Sequence, residues 1–450
     1  MQIKIDIKKF LTQSKITAES SIVSYLFSQK RILFDEYLNI LNNLNLNYFY
    51  VNNPTENIEL LGIDSFISFN GKEVDFKKIK SEFFTNLTVE NKKRIPLFLG
   101  GLKFQGNSKS NSWNDFKNSE WFIPRILFVS MNGEHFSLFN FNPNDKGTYD
   151  KSKIKLLEKF LSTTNGTGKI ERIKLDIKTD VNKAKKNWRK NISEALNAIR
   201  KGQVSKIVLS RFIQTELNDE LNVFHIKKIL TQNYPKCYTF FYKKQGSLFF
   251  GSTPEKLIKI SSRKVYADAL AGSIKRGEDN IEDEKLSEEL LSSNKNLIEQ
   301  RAVVDFILST LENYSTEITY ASKPKIKKLE NIQHLWTQIT ATLLPEADIL
   351  EIVNQLHPTP AVCGTPCKIA SELISSIEKY DRGMYAGVLG WFNLEQEGEF
   401  IVGIRSALER DRNLKIYSGC GIVEGSDFES EFLESELKMN PIKMLFEYEN

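Results

Sequence analysis

A chain of 450 residues, 40% of them hydrophobic and 11% aromatic, can bury a large core, and 26% charged residues give it a well-solvated surface. Its 62 basic and 57 acidic residues leave a formal charge of +5, with the basic ones scattered and mostly Lys. Nucleic acid is therefore not an expected partner, whereas a small anion gathered by a few converging cations is. No run of about 18 apolar residues occurs, so neither a membrane-spanning helix nor a membrane partner is expected. Residues 1–10 lack the apolar core and small-residue cleavage site of a signal peptide. Cys237, Cys363, Cys367 and Cys420 have neither CxxC spacing nor His partners, which indicates neither a zinc site nor a disulfide framework. A reducing cytoplasm is the expected location.

Up to about residue 180 the chain is rich in Asn, Lys and Phe, with strand-like pieces at 47–51, 66–69 and 121–129. The polar stretch 162–168 and the Lys-rich run 183–190 make the best candidate linker, read as a surface loop inside one unit. From Trp188, Ile192, Ala195, Leu196 and Ile199 recur at helical spacing, and Gly202 follows as a stop signal. A strand opens at Lys206, with Lys206, Val208 and Ser210 on one face and Ile207, Leu209 and Arg211 on the other. Further strands are expected at 238–242 and 248–251, then one long helix over about 283–314 with Leu290, Leu297, Val304, Ile307, Leu308 and Leu311 as its buried stripe. Strands return at 387–391, 400–405 and 414–419 before a last helix from about Phe428. Strands grouped in runs, with helices between the groups, predict an α+β fold with antiparallel sheets. No dinucleotide fingerprint or phosphate loop is present.

Several motifs carry chemistry. The run His357-Pro-Thr-Pro-Ala-Val-Cys-Gly-Thr-Pro366 uses X-Pro steps and a Gly to hold a defined loop around Ala361, as at the border of a pocket. Glu431, Glu434 and Lys438 stand at i, i+3 and i+7 of the last helix, a spacing that on its own reads as a solvated face with a Glu434–Lys438 pair, though it also suits a hard divalent cation. Arg405 suits bidentate recognition of a carboxylate, or an ordinary ion pair. Gly272 and Gly419 let a ligand approach the backbone closely, or mark a bulge. A Lys opening a strand, such as Lys206, is ordinarily solvated, and a lone His334 is ordinarily a satisfied core residue.

Taken with Lys206-Ile-Val-Leu-Ser-Arg211, Thr253-Pro-Glu255 and Leu270-Ala-Gly-Ser273, these motifs closely resemble those of the chorismate-binding enzymes, and among them the isochorismate synthases. The resemblance is strong over 185–445, the expected catalytic region, and weak over 1–180, the expected N-terminal part of the same layered body. It implies one α+β unit of two packed antiparallel sheets with flanking helices. It further implies a Mg2+ ion held by Glu299 and Glu434, with Glu431 acting through water. Lys206 would be the base that activates water and Glu255 the acid that protonates the departing hydroxyl. Gly272, Ser273, His334, Ala361, Tyr385, Arg405, Gly419 and Lys438 would contact the substrate, chorismate. The implied reaction is the reversible conversion of chorismate to isochorismate by a monomer, with a weak dimer as the alternative.

Single positions separate the related activities. Anthranilate synthases typically lack the Lys found here at 206, and aminodeoxychorismate synthases carry a nucleophilic Lys where this chain has Ala271. Salicylate synthases, the runner-up, generally have Thr where this chain has Ala361. A non-catalytic chorismate-binding protein would have lost an acid, base or metal glutamate, and all are present. One departure stands beside Glu299: relatives have a His-Glu-His-Glu-type stretch, and here it reads Ile298-Glu-Gln-Arg301. Menaquinone and catecholate siderophore pathways are both open to the product.

Overall fold

Alternation of side chains builds the sheet. In the strand Tyr238–Lys244, Phe240 and Tyr242 turn into one core and Phe241 into another, and in Ser247–Thr253 Phe249 and Phe250 divide the same way. Each such fully buried Phe contributes roughly 1.5–3 kcal/mol over its exposed state. The structure, a computed structural model, describes residues 23–28, 30–42, 44, 46–70, 98–104, 111–141, 173–176 and 181–448. The polar stretch 162–168 lies outside them. The Lys-rich run 183–190 is no linker but part of the helix Val181–Arg200, whose Trp188, Ile192 and Ala195 are buried.

Among the described residues the strands form one ladder with two arms, antiparallel except where Phe446–Tyr448 runs parallel to Ile173–Asp176. The first arm runs Val23–Ser28, Glu134–Phe141, Ser119–Met131, Ile58–Asn70, Tyr48–Asn53, Tyr238–Lys244, Ser247–Thr253, Ser406–Arg410, Asn413–Val423, Lys206–Leu217. The second leaves the start of Ser119–Met131 and runs Phe98–Leu102, Val388–Phe392, Gly398–Val402, Lys256–Ser261, Lys264–Lys275, Ile332–Leu343. The two expected sheets are thus joined through a shared strand. Close backbone approach makes the junction: a Cβ on Gly100 would lie 2.0 Å from the Glu120 carbonyl oxygen, and one on Gly101 2.0 Å from that of Val388.

One continuous core holds side chains from both arms, Phe49 and Phe249 from the first and Ile258, Ile339 and Leu389 from the second. A second core covers the other face of the first arm with Leu38, Leu230 and Ile442 of the helices Phe34–Asn42, Val223–Asn233 and Phe428–Lys443. The expected single helix over 283–314 is two, Asn280–Ser292 and Asn294–Leu311. Ser293 leaves the helical region at φ −72, ψ 106, and its side chain caps the second helix by accepting from the Asn296 N–H. Of the expected buried stripe, Leu290, Val304, Ile307 and Leu311 are buried and Leu297 and Leu308 half-buried, and the first helix buries Asp283 and Ser287 beside Leu290.

Candidate active site

Two helices bring carboxylates to the end of the strand that opens at Lys206. Glu299 is on Asn294–Leu311, and Glu431, Glu434 and Lys438 are on Phe428–Lys443, whose first turn is capped by Asp427 accepting from the Ser430 N–H at 2.9 Å. The second helix is pinned to the sheet. Ser418 Oγ donates to the Ser435 carbonyl at 2.8 Å, Arg211 Nε to Ser435 Oγ at 2.7 Å, and Lys438 Nζ to the Gly419 carbonyl at 3.2 Å. Gly421 keeps the path from Lys206 to Glu299 open: a Cβ there would lie 2.9 Å from both Lys206 Cε and Glu299 Oε1.

Each carboxylate faces an ammonium. Lys206 Nζ lies 2.8 Å from Glu299, Lys295 Nζ 3.1 Å from Glu431, and Lys438 Nζ 2.5 Å from Glu434. Burial alone would raise the Glu299 carboxyl, but the charge and hydrogen bond of Lys206 hold it below its usual range. Glu431 goes the other way, raised by burial and by Glu434 against the pull of Lys295. Burial works against the Lys438 ammonium, yet Glu434 leaves it more firmly protonated than a free Lys. Ligand atoms of Cys420, Glu431 and Glu434 all lie within 4.8 Å of one another. Burial and Glu434 push the Cys420 thiol up, and its Sγ donates to the Glu431 carbonyl at 3.2 Å, so it is a poor ligand. The remaining two donors, on Glu431 and Glu434, are carboxylate oxygens, the kind a hard divalent cation takes, and Glu299 stands outside this group, paired with Lys206.

A cavity adjoins this cluster, lined by Glu255, Gly272, Ser273, Glu299, His334, Ala361, Tyr385, Arg405, Gly419 and Lys438. Lys206, Glu431 and Glu434 are not among its lining residues but adjoin them, paired to Glu299, Lys295 and Lys438. Burial lifts the Glu255 carboxyl to about 7, against the opposing charges of Arg405, Lys206, Lys327 and Lys438. It therefore holds a proton near neutrality. His334 is kept neutral by burial and by nearby Arg405. Its Nδ1 lies 3.0 Å from Ser273 Oγ and 3.3 Å from the Gly272 carbonyl. A carbonyl only accepts, so that contact puts the proton on Nδ1 and leaves the buried Nε2, which has no partner among the described residues, as an acceptor. Gly272 serves a bulge between Ala271 and Ser273 at φ 76, a conformation natural to glycine.

Arg405 was expected in a strand, and the structure corrects this. It lies between the strands Gly398–Val402 and Ser406–Arg410 with φ 51, in the left-handed region. The guanidinium is buried, and among the described residues it has no ion-pair partner. Tyr385 stacks on Tyr417 with ring centroids 5.1 Å apart, and its hydroxyl would lie 3.1 Å from a Cβ on Gly419.

Two neighbours escaped the sequence reading. Lys295 stands four residues before Glu299, a spacing that places both on one helix face. Arg382 also lines the cavity, donating to the Val362 carbonyl at 2.9 Å, the Val208 carbonyl at 2.7 Å and the Glu378 carboxylate at 2.5 Å. Its only local signal was the turn Asp381-Arg-Gly383 before Tyr385.

Comparison with known proteins agrees with the geometry. Residues 9–446 match the family described as chorismate binding enzyme. Isochorismate synthase MenF of Bacillus subtilis (strain 168) is 30% identical over 368 residues, 82% of this chain and 78% of that protein. Isochorismate synthase DhbC of the same organism is 35% identical over 260 residues, 56% of this chain and 65% of that protein. Among solved structures, MenF, the menaquinone-specific isochorismate synthase from Escherichia coli, shares the fold with a TM-score of 0.80 at 23% identity, over 98% of each chain. With a match that spans nearly its full length, the chain belongs to the family of chorismate-binding enzymes.

Proposed function

We propose that this protein is an isochorismate synthase, an isomerase that converts chorismate reversibly to isochorismate. The observation that carries the reading is Glu255, a buried carboxyl protonated near neutrality in the same cavity as Arg405 and Lys438. Arg405, with no acidic partner among the described residues, takes a substrate carboxylate in bidentate fashion, with Lys438 and Tyr385 beside it. His334 Nε2 accepts from a ring hydroxyl, and the backbone at Gly272, Ser273 and Gly419 lets the substrate lie close. Lys206 takes a proton from the water that adds at C2. Glu255 gives its proton to the oxygen leaving C4, so that a second water departs as the ring double bonds shift. The reverse reaction exchanges the two roles, as reversibility requires.

We assign Mg2+ as the cation that Glu299 and Glu434 would hold, with Glu431 through water, and it would supply positive charge for the ring carboxylate. Ala361, on the cavity wall, supports release at isochorismate over onward loss of pyruvate. The reading carries with it a cytoplasmic monomer acting without nucleic acid or membrane, in which 1–180 and 185–445 are parts of one body. Among the described residues no helix is long and apolar enough to cross a membrane.

The test is direct. Purified protein with chorismate and Mg2+, without ammonia or glutamine, gives isochorismate at a reversible equilibrium, and chelation stops turnover until Mg2+ is restored. Salicylate and pyruvate as the main products would make it a salicylate synthase. Anthranilate formed on adding ammonia, or full activity in excess chelator, would overturn the assignment or its metal.

A further inference from the structure

Two thiols that this chemistry does not use lie beside the cavity. Cys363 is fully buried and Cys367 partly so. Cys363 follows Ala361 by two positions, and Cys367 is the first residue of the helix Cys367–Glu378. Cys363 Sγ donates to the Cys367 carbonyl at 3.3 Å and Cys367 Sγ to the Pro358 carbonyl at 3.2 Å, so both thiols are anchored within the one turn. The residues between them are tied to the active site. Gly364 pairs with Ile207 and Thr365 with Lys206, while the Val208 N–H donates to the Cys363 carbonyl at 2.8 Å.

We propose that Cys363 and Cys367 are a redox modification site, closing to a disulfide on exposure to a hydroperoxide and thereby switching off turnover. A disulfide needs sulfur atoms at about 2.05 Å and Cα atoms within about 7 Å, and a thiol whose sulfur lies 3.3 Å from the carbonyl of the second cysteine, four residues on across a turn, is placed to approach it by side-chain rotation. Cys367 is the sulfur that reacts first, because it is the more exposed and opens a helix, whose N-terminus favours a thiolate. Its thiolate attacks one peroxide oxygen: an S–O bond forms, the O–O bond breaks, and the other oxygen leaves as an alcohol or water. Cys363 sulfur then attacks the resulting sulfenic acid, so that S–S forms, S–O breaks, and hydroxide departs with the Cys363 proton as water. In sum the thiols give up two electrons and two protons, and the hydroperoxide is reduced.

The structural effect follows from what the thiols hold. Closing the bridge removes both thiol–carbonyl bonds and draws together the ends of the segment paired with Lys206. The base and the Ala361 wall then shift together, and a displacement of about 1 Å at a reacting group costs on the order of 10²-fold in rate.

The experiment uses the full chain. The protein is treated with hydrogen peroxide, the excess is destroyed, and free thiols are alkylated before peptide mass mapping, with isochorismate formation measured in parallel. We expect a Cys363–Cys367 disulfide, two hydrogens lighter and not alkylated, and turnover lowered by roughly 10²-fold, both reversed by dithiothreitol. Cys367→Ser and Cys363→Ala should keep their turnover through the same treatment. Alkylation of both cysteines after peroxide, a mapped disulfide with undiminished turnover, or equal inactivation of Cys367→Ser would each overturn the proposal. The mapping does not depend on the reaction assigned above, so failure of that assignment is read separately.

Discussion

Glu255 owes its proton to its surroundings rather than to its type. Because its folded pKa stands at about 7, above the ordinary 4.5, the acid form is lost as pH rises through neutrality. For the same reason the stability it lends the fold is full below about pH 4.5 and is lost as pH rises to about 7. If it is the general acid, kcat/KM of the free enzyme falls above about pH 7, and Glu255→Gln lowers kcat by roughly 10²- to 10⁴-fold while removing that limb. A pH profile in which the Gln variant keeps the wild-type limb would strip Glu255 of the role. Ala361 poses a question of shape. Its methyl group is a small part of the cavity wall, and Ala361→Thr adds a branch and a hydroxyl there. We expect slower isochorismate formation and a measurable share of salicylate by chromatography. Unchanged rate and no salicylate would mean that this side chain does not govern the outcome.

The pair Glu378 and Arg382 ties the helix Cys367–Glu378 and the segment at Val362 to the strand Lys206–Leu217. Glu378, at the end of the helix Cys367–Glu378, accepts from the Ser210 N–H at 2.6 Å, and Arg382 reaches the Val208 and Val362 carbonyls. Removing one member of a buried pair strands the other, so Arg382→Met should cost roughly 3–5 kcal/mol. Urea unfolding measures it, and a loss below about 1 kcal/mol, the range of exposed pairs, would show that the pair holds nothing together. Such ties mark where sequence reading ran out. The strands at 238–242 and 248–251 were legible because Phe240 and Phe241, or Phe249 and Phe250, must face opposite ways. The helix break at Ser293 was hidden because helix-forming Glu, Leu and Lys residues stand on both sides of it, and the turn at Arg405 by its flanking apolar residues. The site residues were legible through short motifs. Lys295 and Arg382 were not singled out, because their partners come from other elements or from the backbone.

At the scale of the whole molecule, the first arm needs its N-terminal strands. Tyr238–Lys244 pairs with Tyr48–Asn53, and Val388–Phe392 with Phe98–Leu102. A fragment of residues 181–450 would expose both apolar edges, and unpaired strand edges template aggregation. We expect it to be insoluble or oligomeric by size-exclusion chromatography, and a soluble, active monomer would show that the catalytic region folds alone. Arg405 has a different bearing on the molecule. A large side chain held at φ 51, with its charge buried and unpaired among the described residues, strains the native state by about 1–3 kcal/mol from the backbone alone. Asn tolerates the left-handed region and carries no charge. Arg405→Asn should therefore raise Tm while abolishing turnover, and a lowered Tm would mean that the guanidinium supports the fold. If Tm rises, thermostability and activity pull this position in opposite directions, and selecting variants for heat resistance alone would tend to discard the residue that recognises the substrate.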